Sequence, residues 1–235
     1  MNTGLPQPEQ RPRVVERVVG VSGELVLREW GGHHEIIADG MFLMDTRDGR
    51  SECAMVDAGL RALPQGHCDA RVLIAGLGVG FTARAALDSA QVALVHVLEL
   101  EQCIIDWHRG PLAPRVGHLL EEPRCVVEHA DIVSWINTAP AGTGPTSTGY
   151  DLVCLDVDNG PDWTLRDDNA WLYGNEALQR LRALAGPTTV LAVWSAAPSP
   201  GFATRLAAHC GPVTTVTVSV ERGEADVVYL ARLGN

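Results

Sequence analysis

The stretch Arg71–Glu101, "RVLIAGLGVGFTARAALDSAQVALVHVLELE", reads as strand, glycine turn, helix and strand. "RVLIAGLG" is a continuous apolar run of the kind buried on both faces of a sheet, and Gly76, Gly78 and Gly80 punctuate its end. "FTARAALDSA" has helical character, and "ALVHVLEL" is a second strand-like run. A strand that returns through a helix to a second buried strand predicts a parallel sheet.

Outward from this unit the alternation continues. "EQCIIDWHRG" reads as a helix, "RCVVEHAD" as a short strand, "IVSWINTA" as a helix and "YDLVCLDV" as a strand, with "PAGTGPTSTG" a flexible loop before it. "NEALQRLRALAG" is a helix ending at Gly186, "TTVLAVWSA" a strand and "PGFATRLAAHCG" a further helix. "VTTVTVSVE" and "ADVVYLARL" close the chain as a pair around the turn "RGE". The expected class is α/β: a doubly wound, mostly parallel Rossmann-like sheet covered on both faces, with one antiparallel edge strand.

Upstream, the text changes to short β-type segments, "ELVLREW", "HEIIADG" and "MFLMDT", with Gly31-Gly32, Asp39-Gly40 and Asp48-Gly49 as turn signals. These predict a small N-terminal antiparallel β unit. "SECAMVDAGLRAL" then reads as a helix with Ser51 as its cap. The expected organisation is a flexible arm over residues 1–17, the β unit and helix over 18–60, and the α/β core over 71–235.

With 235 residues and 46% hydrophobic side chains, the chain can bury one α/β core with a small appendage. No apolar run reaches the roughly 20 residues of a membrane span, and "MNTGLPQPEQRPR" lacks an apolar signal region, so a cytoplasmic protein with no membrane partner is expected. A net charge of −11 gives no footprint for nucleic acid and suits a small uncharged or cationic partner. The cysteines Cys53, Cys68, Cys103, Cys125, Cys154 and Cys210 are scattered without a C-x-x-C pair, and are expected to be buried free thiols. His33-His34 beside Glu35 is not a metal pattern, since adjacent residues of a strand point to opposite faces. The chain contains no lysine, which excludes a pyridoxal phosphate Schiff base and a Walker A phosphate loop.

Four groups of residues carry candidate chemistry. The first is the glycine turn, which allows close backbone approach to a ligand, although such turns also serve packing alone, and its G-x-G-x-G spacing differs from the dinucleotide fingerprint. The second is Glu99, which closes the next strand 19 residues after Gly80, where a carboxylate can accept hydrogen bonds from both hydroxyls of a ribose; Glu101 follows on the same side if the strand persists. Asp131 in "EHADIVSWI" either caps the following helix or serves a ligand at the carboxyl edge of the sheet, and the two roles are compatible.

The fourth is "YDLVCLDVDNGPDW", residues Tyr150–Trp163, an apolar strand ending in Asp156 and Asp158. "DNGP" is a turn signal, but two carboxylates facing a pocket would also attract an ammonium group and accept its proton. Trp163, Trp171, Tyr173 and Trp194 lie near this edge. Trp163 is the candidate lid residue, and core packing is the alternative for Trp171 and Trp194.

Together these segments resemble the spermidine synthase-like (polyamine aminopropyltransferase) branch of the class I S-adenosylmethionine-dependent methyltransferase fold. "VLIAGLGVG" stands in place of that family's Gly-rich motif, "LELE" of its Glu-x-Asp motif, "HADIVSWI" of its Gly-Asp motif, and "YDLVCLDVDNGP" of its Tyr-Asp-x-x-x-x-Asp-Ser-Ser-Asp-Pro-x-Gly-Pro. The resemblance implies that Gly76, Gly78 and Gly80 line the nucleoside and its tail, Glu99 binds the ribose, and Asp131 the adenine amino group. It makes Asp156 the catalytic Asp, and places Asp158 or Asn159 near the substrate-binding second Asp, with Trp163 beside them. Leu43 replaces a family Gln, and "DGRSECA" replaces an acidic and aromatic segment that holds the polyamine.

The implied activity is transfer from S-adenosylmethionine or its decarboxylated form to an amine deprotonated by Asp156, by a homodimer, without metal or pyridoxal phosphate. Methyl transfer to a small molecule, reaction of the amino-carboxypropyl tail including cyclisation, and a non-catalytic nucleoside-binding subunit are the alternatives.

Overall fold

The computed structural model describes residues 11–138, 149–220 and 223–234. Four strands, β1 (Arg13–Gly20), β2 (Gly23–Trp30), β3 (His33–Ala38) and β4 (Met41–Asp45), form an antiparallel sheet in sequence order. Strand β1 begins at Arg13, so part of the expected arm is sheet: Val15 and Val18 pack on the core and draw the segment into the ladder. Residues 1–10 of that arm, and most of the expected loop "PAGTGPTSTG", lie outside the described residues.

Helix α1 (Arg50–Arg61) follows. Its N-cap is Gly49 rather than Ser51. The Arg50 N–H instead donates to Asp48 Oδ1 at 3.1 Å, and the Ser51 hydroxyl, one residue further in, donates to Glu52 Oε2 at 2.9 Å.

The core then alternates β5 (Ala70–Ala75), α2 (Phe81–Asp88), β6 (Val92–Glu99), α3 (Gln102–Trp107), β7 (Cys125–His129), α4 (Ile132–Thr138) and β8 (Leu152–Leu155). It continues through α5 (Asp167–Ala170), α6 (Asn175–Leu184), β9 (Val190–Ser195), α7 (Pro200–Cys210), β10 (Val213–Val218) and β11 (Asp226–Arg232). The second sheet has seven strands in the order β10-β11-β9-β8-β5-β6-β7. Neighbours from β9 to β7 pair in parallel, and β11, lying at this edge between β9 and β10, runs against both.

The period of two in β5 explains the two layers around this sheet. Val72 and Ile74 pack on one side with Met55 of α1 and Ala83 and Ala86 of α2. Leu73 and Ala75 pack on the other with Ile136 of α4, Leu178 of α6 and Phe202 of α7. Leu25, Leu27 and Ile36 of the small sheet belong to the first cluster, so the two sheets share a continuous core. Cys103 and Cys154 are buried thiols, whereas Cys53 and Cys68 are exposed, contrary to expectation, because they lie on the outer side of α1 and in the loop before β5. No helix among the described residues is long and apolar enough to cross a membrane.

The topology places the site. The chain winds outward from β5 through β6 to β7 in one direction, and through β8 to β9 in the other. The carboxyl ends of β5 and β8 are therefore the switch point, where open α/β sheets leave a crevice for ligands. Gly76 follows β5 and Asp156 follows β8.

Candidate active site

A cavity of about 510 Å³ opens at this switch point. The small sheet closes it from above with Leu25, Ile36, Phe42 and Met44, and the core supplies Gly76, Gly78, Glu99, Asp131, Asp156 and Trp163. Its volume falls within the range of sites for nucleoside-sized molecules. Every ionisable side chain among the described lining residues is a carboxylic acid.

Two of the three glycines face the cavity for different reasons. Gly76 has φ 91°, and a Cβ there would run into the carbonyl oxygen of Asp156. Gly78 has φ 50° and lies under the Met44 thioether, whose Sδ accepts the Val79 N–H at 3.1 Å. Gly80 does not line the cavity. It is the N-cap of α2 with φ 94°, and it faces His108 and Leu119 on the far side of the turn. His108 is buried, which pushes its imidazole pKa down, and its neutral ring donates from Nε2 to the Gly78 carbonyl at 2.9 Å.

Glu99 is only 5% exposed and holds the turn from below. Its Oε2 accepts the Leu77 N–H at 2.8 Å and its Oε1 the Glu101 N–H at 2.7 Å. Burial raises its pKa, and these two donors oppose the rise. An ionised carboxylate offers about four lone-pair sites, so two backbone donors leave capacity for hydroxyl groups of a ligand.

Glu101 has a different task from the one its spacing suggests. The strand ends at Glu99, and the Glu101 carboxylate accepts the Val21 and Ser22 N–H groups at 2.9 and 2.6 Å, which fastens the β1–β2 turn to the core. Asp131 lines the cavity and caps α4 at once, accepting from Val133 N–H at 3.1 Å, Ser134 N–H at 3.3 Å and the Ser134 hydroxyl at 2.8 Å.

Asp156, whose backbone carbonyl adjoins Gly76, is only partly exposed. Burial raises its carboxyl to about 6, a rise opposed by the Thr82 hydroxyl, which donates to Oδ2 at 2.6 Å, and reinforced by the charge of Asp226. Glu52 of α1 faces it, raised to about 7 by burial first and by Asp156 second. Asp226, at the start of β11, is also raised by burial, opposed by the nearby Ser51 side chain. Three carboxyl groups, brought from β8, α1 and β11, thus compete for ionisation in one wall of the cavity.

Asp158 and Asn159 line the cavity, but Asp158 is largely occupied with its own loop. It takes φ 53°, and its Oδ2 accepts the Leu165 N–H at 3.0 Å and the Asn169 side-chain amide at 2.9 Å. This fixes the segment carrying Trp163, which is 47% exposed at the cavity mouth. Trp194 lines the wall, whereas Trp171 and Tyr173 do not reach the cavity. Tyr173 lies in the core between the Val157 carbonyl, to which its hydroxyl donates at 2.9 Å, and the ring of Phe202.

The sequence reading missed Glu52, Asp226, Thr82, Met44 and His108. Glu52 lies in the quoted segment "DGRSECA", and Asp226 opens "ADVVYLARL", but both are far in sequence from Asp156, the carboxyl group they face.

No protein-family model matches the chain. Solved structures with the same fold include a spermidine synthase in complex with the transition-state analogue AdoDATO, at TM-score 0.75 and 15% identity over 94% of this chain and 74% of that one. The spermidine synthase of Thermotoga maritima superimposes at TM-score 0.74 and 16% identity, over 94% of this chain and 73% of its own. Human methyltransferase-like protein 13 in complex with SAH gives 0.61 and 18%, over 77% of this chain and 82% of its own. The fold is therefore the spermidine synthase-like variant of the class I methyltransferase fold, with the small N-terminal sheet included.

Proposed function

We propose that the protein is a transferase that takes an alkyl group of the aminopropyl type from an S-adenosylmethionine-type nucleoside and joins it to an amine. The observation that carries this reading is one cavity that joins two unlike groups of residues. The glycine turn, Glu99 and Asp131 form one, and the carboxyl group of Asp156, with Glu52 and Asp226 beside it, forms the other; they meet where the Asp156 carbonyl packs on Gly76. The likeness to structures holding AdoDATO and SAH supports the nucleoside assignment of the first group.

The residues present suit such a nucleoside. Gly76 and Gly78 keep side chains away from the turn, Glu99 retains acceptor sites for ribose hydroxyls, and Asp131, which lines the cavity, would serve as acceptor for an adenine amino group. The amine nitrogen would bond to the activated carbon as its C–S bond to the sulfonium breaks and a neutral thioether nucleoside leaves, so the protein's work is to orient the nucleophile and to remove one proton.

Asp156 is suited to both tasks. Its charge attracts an amine, and its raised pKa makes it a stronger base than an ordinary Asp at neutral pH. Glu52 and Asp226 extend the negative wall and can hold further positive charge on the acceptor. A cavity with no cationic side chain among its described lining residues also favours the decarboxylated nucleoside over one bearing a carboxylate. A homodimer remains part of this proposal through the resemblance in sequence.

Mass spectrometry of reactions with the decarboxylated nucleoside and a panel of diamines tests the reading. A product heavier by one aminopropyl group, absent with Asp156→Asn, is expected. Methylated product from S-adenosylmethionine, or a cyclised tail with no acceptor consumed, would replace it.

A further inference from the structure

Asp156 is tied to the glycine turn twice. Its backbone carbonyl packs against Gly76, so closely that only a glycine fits there. Its side chain is held by Thr82, the second residue of α2, whose hydroxyl lies 2.6 Å from Oδ2. Thr82 is 2% exposed, and its single hydroxyl proton has Asp156 as its acceptor. No hydrogen bond from a described residue engages the other oxygen, Oδ1, although Asp156 lines the cavity. The glycine turn and the helix that follows it thus hold both the backbone and the side chain of Asp156.

We propose that Thr82 is a positioning residue for Asp156, fixing the carboxylate so that Oδ2 is occupied and Oδ1 is left to meet the attacking amine. This rests on the proposed role of Asp156 as base. A hydroxyl that donates to a carboxylate stabilises its ionised form, and β-branching at Thr82 restricts the rotation that would release it.

Without the hydroxyl, burial and neighbouring charge would act on Asp156 unopposed. Those neighbours are Glu52 from α1 and Asp226 from β11, with Cys154 on β8 and Tyr173 also within reach of its charge. Asp156 would then take up its proton at higher pH, and the carboxyl would be free to turn.

The test uses the full chain and does not depend on knowing the acceptor. Carbon-13 carboxyl NMR follows the titration of Asp156, assigned by its loss in Asp156→Asn. In Thr82→Val, which keeps the shape and removes the hydroxyl, the Asp156 transition should move upward by roughly one pH unit. Thr82→Ser should hold it at the wild-type position. An unmoved transition in a folded Thr82→Val protein would overturn the proposal.

Where turnover is measured, the acidic limb of its pH profile should move with the NMR transition, with nucleoside affinity unchanged. If Asp156→Asn remains active, the reading of Asp156 as base fails. If Asp156→Asn is inactive and Thr82→Val leaves the limb in place, the positioning role alone fails.

Discussion

Ser22 and Glu101 meet at the junction of the two sheets: the Ser22 N–H donates to Glu101 Oε1 at 2.6 Å, and the adjacent Val21 N–H to Oε2 at 2.9 Å. Ser22 and Glu101 both line the cavity, so this contact sets the height of its roof. Hydrogen bonds to a charged acceptor contribute about 1.5–3 kcal/mol each, and at the exposed Val21 water can replace part of the loss. Glu101→Ala should lower stability by about 2–3 kcal/mol in denaturant unfolding and speed amide exchange at Val21 and Ser22. Wild-type stability with unchanged exchange would mean that the hairpin is held by packing alone.

Glu99 combines support of the turn with the proposed ribose contact. Replacing it by Gln places an amide N–H₂ against one of the two backbone donors at Leu77 and Glu101. Nucleoside affinity should fall by roughly 1.5–3 kcal/mol, measured by calorimetry, together with a loss of thermal stability. If stability falls while affinity is unchanged, Glu99 supports the turn without touching the ligand.

Asp156→Asn separates binding from chemistry. The amide fits the same space and can still accept from Thr82 through its oxygen, but it cannot take a proton from an amine. Nucleoside binding should persist and turnover should fall at least a hundredfold, in line with loss of a general base.

The pairing of Glu52 with Asp156 has a consequence for stability. Both carboxyl groups bind protons more tightly in the folded chain than in the unfolded one, which favours folding at low pH. That contribution is lost as pH rises from the ordinary carboxylate range through about 6 for Asp156 and about 7 for Glu52. Glu52→Gln should therefore gain stability relative to wild type as pH rises, by about 1–3 kcal/mol near about pH 8. Thermal unfolding followed across pH checks this, and parallel curves for the two proteins would show that Glu52 does not carry the charge burial described.

The alternation of apolar strands and helices made the seven-stranded sheet legible, because β5 and β8 are buried on both faces and leave continuous runs such as "VLIA" and "LVCL". That Gly76, Gly78, Glu99, Asp131 and Asp156 line one cavity was legible for a related reason: Glu99 ends a strand and the others follow one, and the topology brings those ends to one edge. Gly80 was misplaced because spacing alone does not distinguish a glycine facing a ligand from one that starts a helix. Glu52 and Asp226 were hidden because their proximity depends on α1 packing beneath β9 and β11, a contact with no local pattern. Thr82 looked like an ordinary helix residue until its hydroxyl was seen beside Asp156.

The most direct test of the account is calorimetric binding of decarboxylated S-adenosylmethionine, S-adenosylmethionine and methylthioadenosine to the same protein. All three are expected to bind through the glycine turn and Glu99, with the decarboxylated nucleoside tightest because its tail carries an ammonium group without the carboxylate that Asp156, Glu52 and Asp226 would repel. Tighter binding of S-adenosylmethionine than of its decarboxylated form would contradict this expectation, and would turn the chemistry toward methyl transfer or the amino-carboxypropyl tail.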